Sequence, residues 1–316
     1  MRDIRERRKD SSDLFQELGV YIRRIGDLLE NLNIFRKQSL LGHVYWIEQN
    51  EGRYRRVLLK AYPVVVSSQL KTILFDNIKT VILTGATLSV GRSFRYIKTQ
   101  LGMENVKELR LGSSFNYKEQ MKIHVPGKMP SPKEGDKYRK ALEKQVYRYV
   151  KLTSGKAFVL FTNTRLMNEI YDKVAPKLEA KGINCFIQGG GVSRHVMLQR
   201  FREDTDSVLF GTDSFWTGVD VEGETLSNVI ITRLPFAVPQ HPLMQARIQY
   251  IEEHGGNAFR DYSLPQAVLK LRQGAGRLIR SRRDKGIIVI LDNRIINSYY
   301  GNNFWASLPE CPRVIG

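Results

Sequence analysis

Residues 157–187, AFVLFTNTRLMNEIYDKVAPKLEAKGINCFI, decide the fold. A short continuous apolar run at 157–161 reads as a strand buried on both faces. An amphipathic helix follows over 165–180, and a second apolar strand at 183–187 closes the unit. The alternation extends both ways: a helix over 137–152 precedes it, and a helix over 193–202, strands at 207–210 and 228–232, a helix over 265–279 and a strand at 286–291 follow. Short apolar strands joined by helices imply right-handed crossovers and a parallel sheet covered on both faces. The expected fold class is therefore α/β, a RecA-like parallel-sheet domain from about residue 104 to the end.

Upstream the pattern changes. Leu14, Leu18, Tyr21, Ile22, Ile25, Leu28, Leu29 and Leu32 recur at spacings of three and four. That predicts an amphipathic helix over 13–32, capped by Ser12 or Asp13, whose apolar stripe needs a partner. Residues 43–48 and 55–60 read as two strands around a turn at Asn50, Glu51 and Gly52. A helix over 66–75 leads to Thr80-Val81-Ile82-Leu83-Thr84, a β-branched run expected as a buried strand, and then to a helix near 93–101. Residues 126–136, rich in Pro, Gly and charge, read as a loop.

With 316 residues, 42% of them hydrophobic, the chain is long enough for about two domains. Fifty Lys and Arg against 32 Asp and Glu give a formal charge of +18, so polyanions are the expected partners. No stretch approaches the ~18–20 apolar residues of a membrane helix, and Met1-Arg2-Asp3-Ile4-Arg5 offers no apolar signal region; a cytoplasmic protein is expected. Cys185 and Cys311 are too few and too far apart for a disulfide framework or an iron–sulfur cluster, and the five histidines share no metal-ligand spacing.

The strongest chemical signal is Gln273-Gly274-Ala275-Gly276-Arg277-Leu278-Ile279-Arg280. On a helix, Gln273, Arg277 and Arg280 share one face, and the glycines admit another backbone or a phosphate. Two guanidiniums there suit a triphosphate, because the planar, permanently charged fork neutralises charge developing on a transferred phosphoryl group. A solvated basic helix end before Ser281-Arg282-Arg283-Asp284 is the other reading. A second constellation follows the strand ending at Phe210, running from Gly211 and Thr212 through Phe215-Trp216-Thr217-Gly218-Val219-Asp220 to Gly223. Such loops, beyond the carboxyl ends of parallel strands, are where α/β sheets place ligand-binding groups. Gly218 and Asp220 suit a nucleotide's sugar or water, and Phe215 and Trp216 a nucleic acid; a turn glycine with a capping Asp, and aromatics buried under the loop, are the plainer alternatives. Gly189-Gly190-Gly191 before Ser193 reads as a turn or as a phosphate-facing helix entry.

Taken in order, Thr84-Gly85-Ala86-Thr87-Leu88, Phe161-Thr162-Asn163-Thr164, the Phe-Trp-x-Gly-Val-Asp core of 211–223, Arg233-Leu234-Pro235-Phe236 and residues 273–280 resemble motifs III to VI of the DinG/XPD-type superfamily two helicases, over about residues 43–293. The resemblance implies an ATP-dependent DNA helicase. It implies that Thr84 and Thr87 couple nucleotide state to DNA and that Phe161 and Thr162 face the DNA path, with Thr212, Phe215 and Trp216 in the loop beside it. Gly218 and Asp220 would lie at the ATP cleft, and Gln273, Arg277 and Arg280 on the γ-phosphate side. It further implies that residues 1–42 are the remnant of a helical arch, 43–103 the end of a first motor domain, and 104–316 the second.

The sequence contains no Gly-x-x-x-x-Gly-Lys-Ser/Thr loop and no Asp-Glu-x-His box. Magnesium ligands for ATP are accordingly expected in an N-terminal motor half outside these 316 residues, and the chain alone is expected to be inactive while still binding DNA, chiefly single-stranded. A non-catalytic nucleic-acid-binding module descended from a helicase is the alternative. A nuclease ranks last, since no clustered Asp/Glu set of that kind occurs.

Overall fold

Good helix formers, with no glycine or proline before Gly19, carry the first helix beyond what its apolar spacing requires. In the computed structural model it runs unbroken over Arg2–Lys37, so Ser12 and Asp13 lie inside it and do not cap it. The structure describes residues 2–49, 56–216 and 226–316, with the side chains of residues 2–15, 213 and 214 outside that description. The helix closes on Gln38 in the left-handed region, with Arg36 and Lys37 complementing the dipole at its end. Its apolar stripe is largely solvent-facing: Ile22 is 62% exposed and Leu28 58%.

The chain forms two compact units, Met1–Ser68 with Val238–Gly256, and Gln69–Ala237 with Asn257–Gly316. In the first unit, strands β1 (His43–Gln49) and β2 (Val57–Pro63) pair antiparallel, as the two-strand reading expects, while the turn at residues 50–52 lies outside the described residues. Trp46 and Tyr62 pack across the hairpin with centroids 5.3 Å apart, His241 meets the Trp46 ring edge-on, and Glu48 pairs with Lys60 at 2.6 Å.

The second unit holds a seven-stranded sheet: β3 (Met121–Val125), β4 (Ala157–Leu160), β5 (Asn184–Ile187), β6 (Ser207–Gly211), β7 (Asn228–Ile231), β8 (Gly286–Ile290) and β9 (Arg313–Ile315). Their spatial order is β5-β6-β4-β7-β8-β3-β9 and every pairing is parallel. This is the expected RecA-like architecture. Period-two alternation sends Ala157, Val159 and Phe161 to one face, against the helices Asp136–Leu152 and Thr164–Glu179. Phe158 and Leu160 go to the other, against Arg194–Glu203 and Leu264–Ala275.

Three expected elements differ. Residues 66–75 form a short helix, Ser67–Leu70, followed by a π-turn at Lys71–Phe75. Residues 80–84 are not a strand: they pair with no other among the described residues, and Ile82 is 81% exposed. A buried parallel strand requires neighbours on both edges, and this run has none here. The helix expected over 265–279 ends at Ala275.

Candidate functional site

The end of that helix sets the site. Beyond Gly276 the amides of Arg277 and Leu278 bond three residues back, to Gly274 and Ala275, tightening the chain into a turn, and Leu278 and Ile279 then bury in the core. Gln273 therefore sits in the last helical turn, Arg277 in the turn after it and Arg280 in the loop beyond, rather than all three on one helix face. Asp284 fixes that loop: its carboxylate accepts from the amides of Arg280 and Ser281 and from the Ser281 hydroxyl, each at 2.7 Å. Partial burial pulls the Asp284 carboxyl upward, but these hydrogen bonds outweigh it and hold the group below the usual carboxylate range. Gln120 secures the same loop by donating to the carbonyls of Ser281 and Asp284.

The glycine at 274 admits neither a phosphate nor a strand but a tryptophan. A Cβ there would lie 2.7 Å from Cε3 of Trp216. Trp216 is fully buried and its indole N–H donates to the Phe161 carbonyl at 3.0 Å. Phe215 is likewise buried, against Gly211, where a Cβ would sit 2.7 Å from its ring, and Phe161 lies in the core of the opposite sheet face. The rings of Phe161, Phe215 and Trp216 thus support the loops, as the core reading of such aromatics has it, and expose no surface to a ligand. The polar members stand nearer solvent: Thr162 is half-buried, and Thr212 donates from its amide and hydroxyl to Oε1 of Gln188 at 2.7 and 3.0 Å. Gly218 and Asp220 lie outside the described residues. At the triple glycine, Ser193 caps the following helix by accepting from the amide of Val196, which accounts for a turn there.

Arg277 links the two constellations, its Nη2 donating to the Trp216 carbonyl at 3.0 Å. Around it opens a cleft of about 1890 Å³, within the second unit, lined by residues 79–89, 106–118, Gln273, Arg277 and Arg280 among others. Thr84 and Thr87 are therefore brought to the same cleft as the glutamine and both arginines. The acidic lining residues, Glu108 and Glu310, pair with Lys98 at 2.7 Å and Lys118 at 3.7 Å, and the further lining cations Lys79, Arg92, Lys107, Arg110 and Arg272 leave the wall strongly positive.

Arg272 is a site residue that spacing did not single out. Its Nη1 donates to the carbonyl and hydroxyl oxygens of Ser89, at 3.2 and 3.4 Å, tying the stretch after Thr84–Thr87 to the arginine helix. Burial and then the like charge of Arg110 draw its guanidinium below its ordinary value. Its adjacency to Gln273 was the available signal. Among the described residues no group of His, Cys, Asp and Glu could hold a metal ion, and no helix is long and apolar enough to cross a membrane.

Residues 146–311 match the helicase C-terminal domain family. The chain is similar to an ATP-dependent DNA helicase YoaA of Haemophilus influenzae, 35% identical over 95% of this chain and 46% of that protein. It is also similar to an ATP-dependent DNA helicase DinG of Photobacterium profundum, 34% identical over 99% of this chain and 47% of that protein. A 3'-5' exonuclease DinG of Bacillus subtilis is 36% identical over 84% of this chain, corresponding to 29% of that protein. The chain thus spans about half the length, or less, of the curated relatives it matches. Among solved structures, XPD_APO superposes with a TM-score of 0.64 at 14% identity, covering 90% of this chain and 57% of the other, a likeness of fold.

Proposed function

The chain belongs to the helicase C-terminal domain family, in its DinG/XPD-type branch, and from that premise we propose that it is the part of an ATP-dependent DNA helicase that binds nucleic acid and supplies the arginine side of the ATP site. The observation that carries this reading is the meeting of Thr84 and Thr87 with Gln273, Arg277 and Arg280 around one positively charged cleft. Arg277 and Arg280 neutralise charge on the transferring phosphoryl group, Gln273 orients it, and the tether from Arg277 to the Trp216 carbonyl aims the guanidinium. Gly218 and Asp220 complete the nucleotide side.

Single-stranded DNA is held chiefly through its phosphates, with Thr84, Thr87, Thr162 and Thr212 as polar contacts and Phe161, Phe215 and Trp216 as the props of those loops. Residues 1–42, 43–103 and 104–316 then correspond to an arch remnant, the end of a first motor domain and the second motor domain. An N-terminal motor half provides the phosphate loop and the magnesium ligands. The whole is assigned to the cytoplasm.

A non-catalytic nucleic-acid-binding module is the second reading, favoured by the lack of a phosphate-loop sequence within these 316 residues. Titrating the chain with single-stranded DNA across a salt series, with ATP hydrolysis measured alongside, tests both. Affinity is expected to fall steeply with salt, and hydrolysis to be absent. A flat salt dependence, or DNA-stimulated hydrolysis lost in Arg277→Ala, would overturn the half-site reading.

A further inference from the structure

Tyr299 is 85% exposed, so most of the residue is in solvent. A bare ring of that kind on a floppy loop would mean little, but this one is held. It packs on Tyr300 with centroids 5.2 Å apart and on Phe259 at 6.2 Å. Tyr300 in turn contacts Phe259 at 5.3 Å and Phe236 at 5.6 Å, Phe236 stacks on Phe259 at 5.8 Å, and Phe304 anchors the cluster in the core at 0% exposure. The backbone beneath is equally fixed. Gly301 donates to the Ser298 carbonyl at 2.9 Å, and a Cβ on Gly301 would lie 2.3 Å from the Ile295 carbonyl oxygen, so the turn that carries Tyr299 admits little else.

We propose that Tyr299 is a stacking platform for an unpaired nucleobase. The surroundings favour a base over a protein surface. Asn297, Asn302 and Asn303, which flank the tyrosine in sequence, are exposed amides able to meet base edges, whereas a protein interface needs an apolar core within about 800 Å² per partner. The net charge of +18 brings a polyanion to the surface. Arg260, next in sequence to Phe259, and Arg294, five residues before Tyr299, are already engaged, the first by Asp261 and the second by the buried Asp292. The platform therefore contributes by stacking, which is insensitive to salt, and not by pairing with phosphates.

This inference rests on the reading of the chain as a nucleic-acid-binding protein, and the test separates the two. The 316-residue chain and its variants Tyr299→Ala and Tyr299→Phe are titrated with a single-stranded oligonucleotide carrying 2-aminopurine, over a salt series. Tyr299→Ala is expected to weaken binding about 5- to 150-fold at every salt concentration, leaving the slope of log K against log[salt] unchanged. Tyr299→Phe keeps the affinity and the fluorescence quench of the parent. If Tyr299→Ala binds as the parent does, the platform is refuted while the nucleic-acid reading stands. If the parent itself does not bind, both fail. A parent that dimerises through this face, with dimerisation lost in Tyr299→Ala, would overturn the proposal in favour of a protein interface. Since the ring is exposed, the variants are expected to unfold at the parent's denaturant midpoint, which rules out misfolding as the cause.

Discussion

Residues 80–84 and strand β6 are alike on paper and opposite in the molecule. Both are short apolar runs rich in β-branched or aromatic residues. Strand β6 lies between β5 and β4, and Val208, Leu209 and Phe210 are completely buried. Residues 80–84 form no ladder with any described residue and leave Ile82 81% exposed on a cleft wall, with Leu109 and Leu111 of the same lining nearly as bare at 77% and 78%. The difference teaches that such a run states a demand for burial, and that its conformation is settled by which neighbours are there to meet it.

The sharpest way to break that contrast is to truncate one side chain in each region. Trp216→Ala, deep against Gly274, is expected to cost about 3–5 kcal/mol in urea unfolding, whereas Ile82→Ala should stay within about 0.5 kcal/mol. Equal losses would abolish the distinction. Next in size is Asp292→Ala. The buried carboxylate binds Arg294 through both oxygens and accepts from the amide of Leu234 at 2.8 Å. Its removal should cost about 3 kcal/mol, the low end for a broken buried pair because Arg294 keeps some solvent contact.

Gly274→Ala sharpens the comparison through its sign. Alanine is the better helix former by about 1 kcal/mol, yet the clash with Trp216 should reverse this to a net loss of about 1–3 kcal/mol. A stabilised variant would show that Trp216 yields easily. The smallest effect is in pH. Because the Asp284 carboxyl is held below its unfolded value, its contribution is present above the ordinary carboxylate range and is lost as pH falls through the folded value. The stability gap between the parent and Asp284→Ala should therefore close on acidification below about pH 4; a gap that widens would assign the loop's order to another group.

Much of this was legible in the sequence. The interior strands β4 to β8 and the helices over 137–152, 165–180 and 193–202 fall within a residue or two of their expected bounds, because each pairs an unbroken apolar run with an amphipathic neighbour, whereas the helix Pro242–Glu253 was not expected and that over 265–279 stops four residues short. Strands β3 and β9 were missed: β3 alternates immediately before the Pro-rich loop, and β9 is three exposed residues at the sheet edge. At the site, residue types and order were readable, and geometry was not. The spacing of Gln273, Arg277 and Arg280 fits a helix face, but Leu278 and Ile279 are drawn into the core and end the helix first. The burial of Trp216 depends on a partner glycine 58 positions away, and the role of Arg272 on Ser89, 183 positions away; no local pattern encodes either.

The central claim, that Arg277 and Arg280 act on a phosphoryl group, is tested most directly in a protein that joins this chain to a motor half bearing the phosphate loop. ATP turnover and single-stranded DNA affinity are measured side by side for Arg277→Lys and Arg280→Lys. Lysine keeps the charge and loses the planar fork. The account expects turnover to fall by as much as about 10³–10⁵, the range for a lost arginine finger, with DNA affinity nearly unchanged. Near-normal turnover in both variants, or a defect confined to DNA affinity, would contradict it.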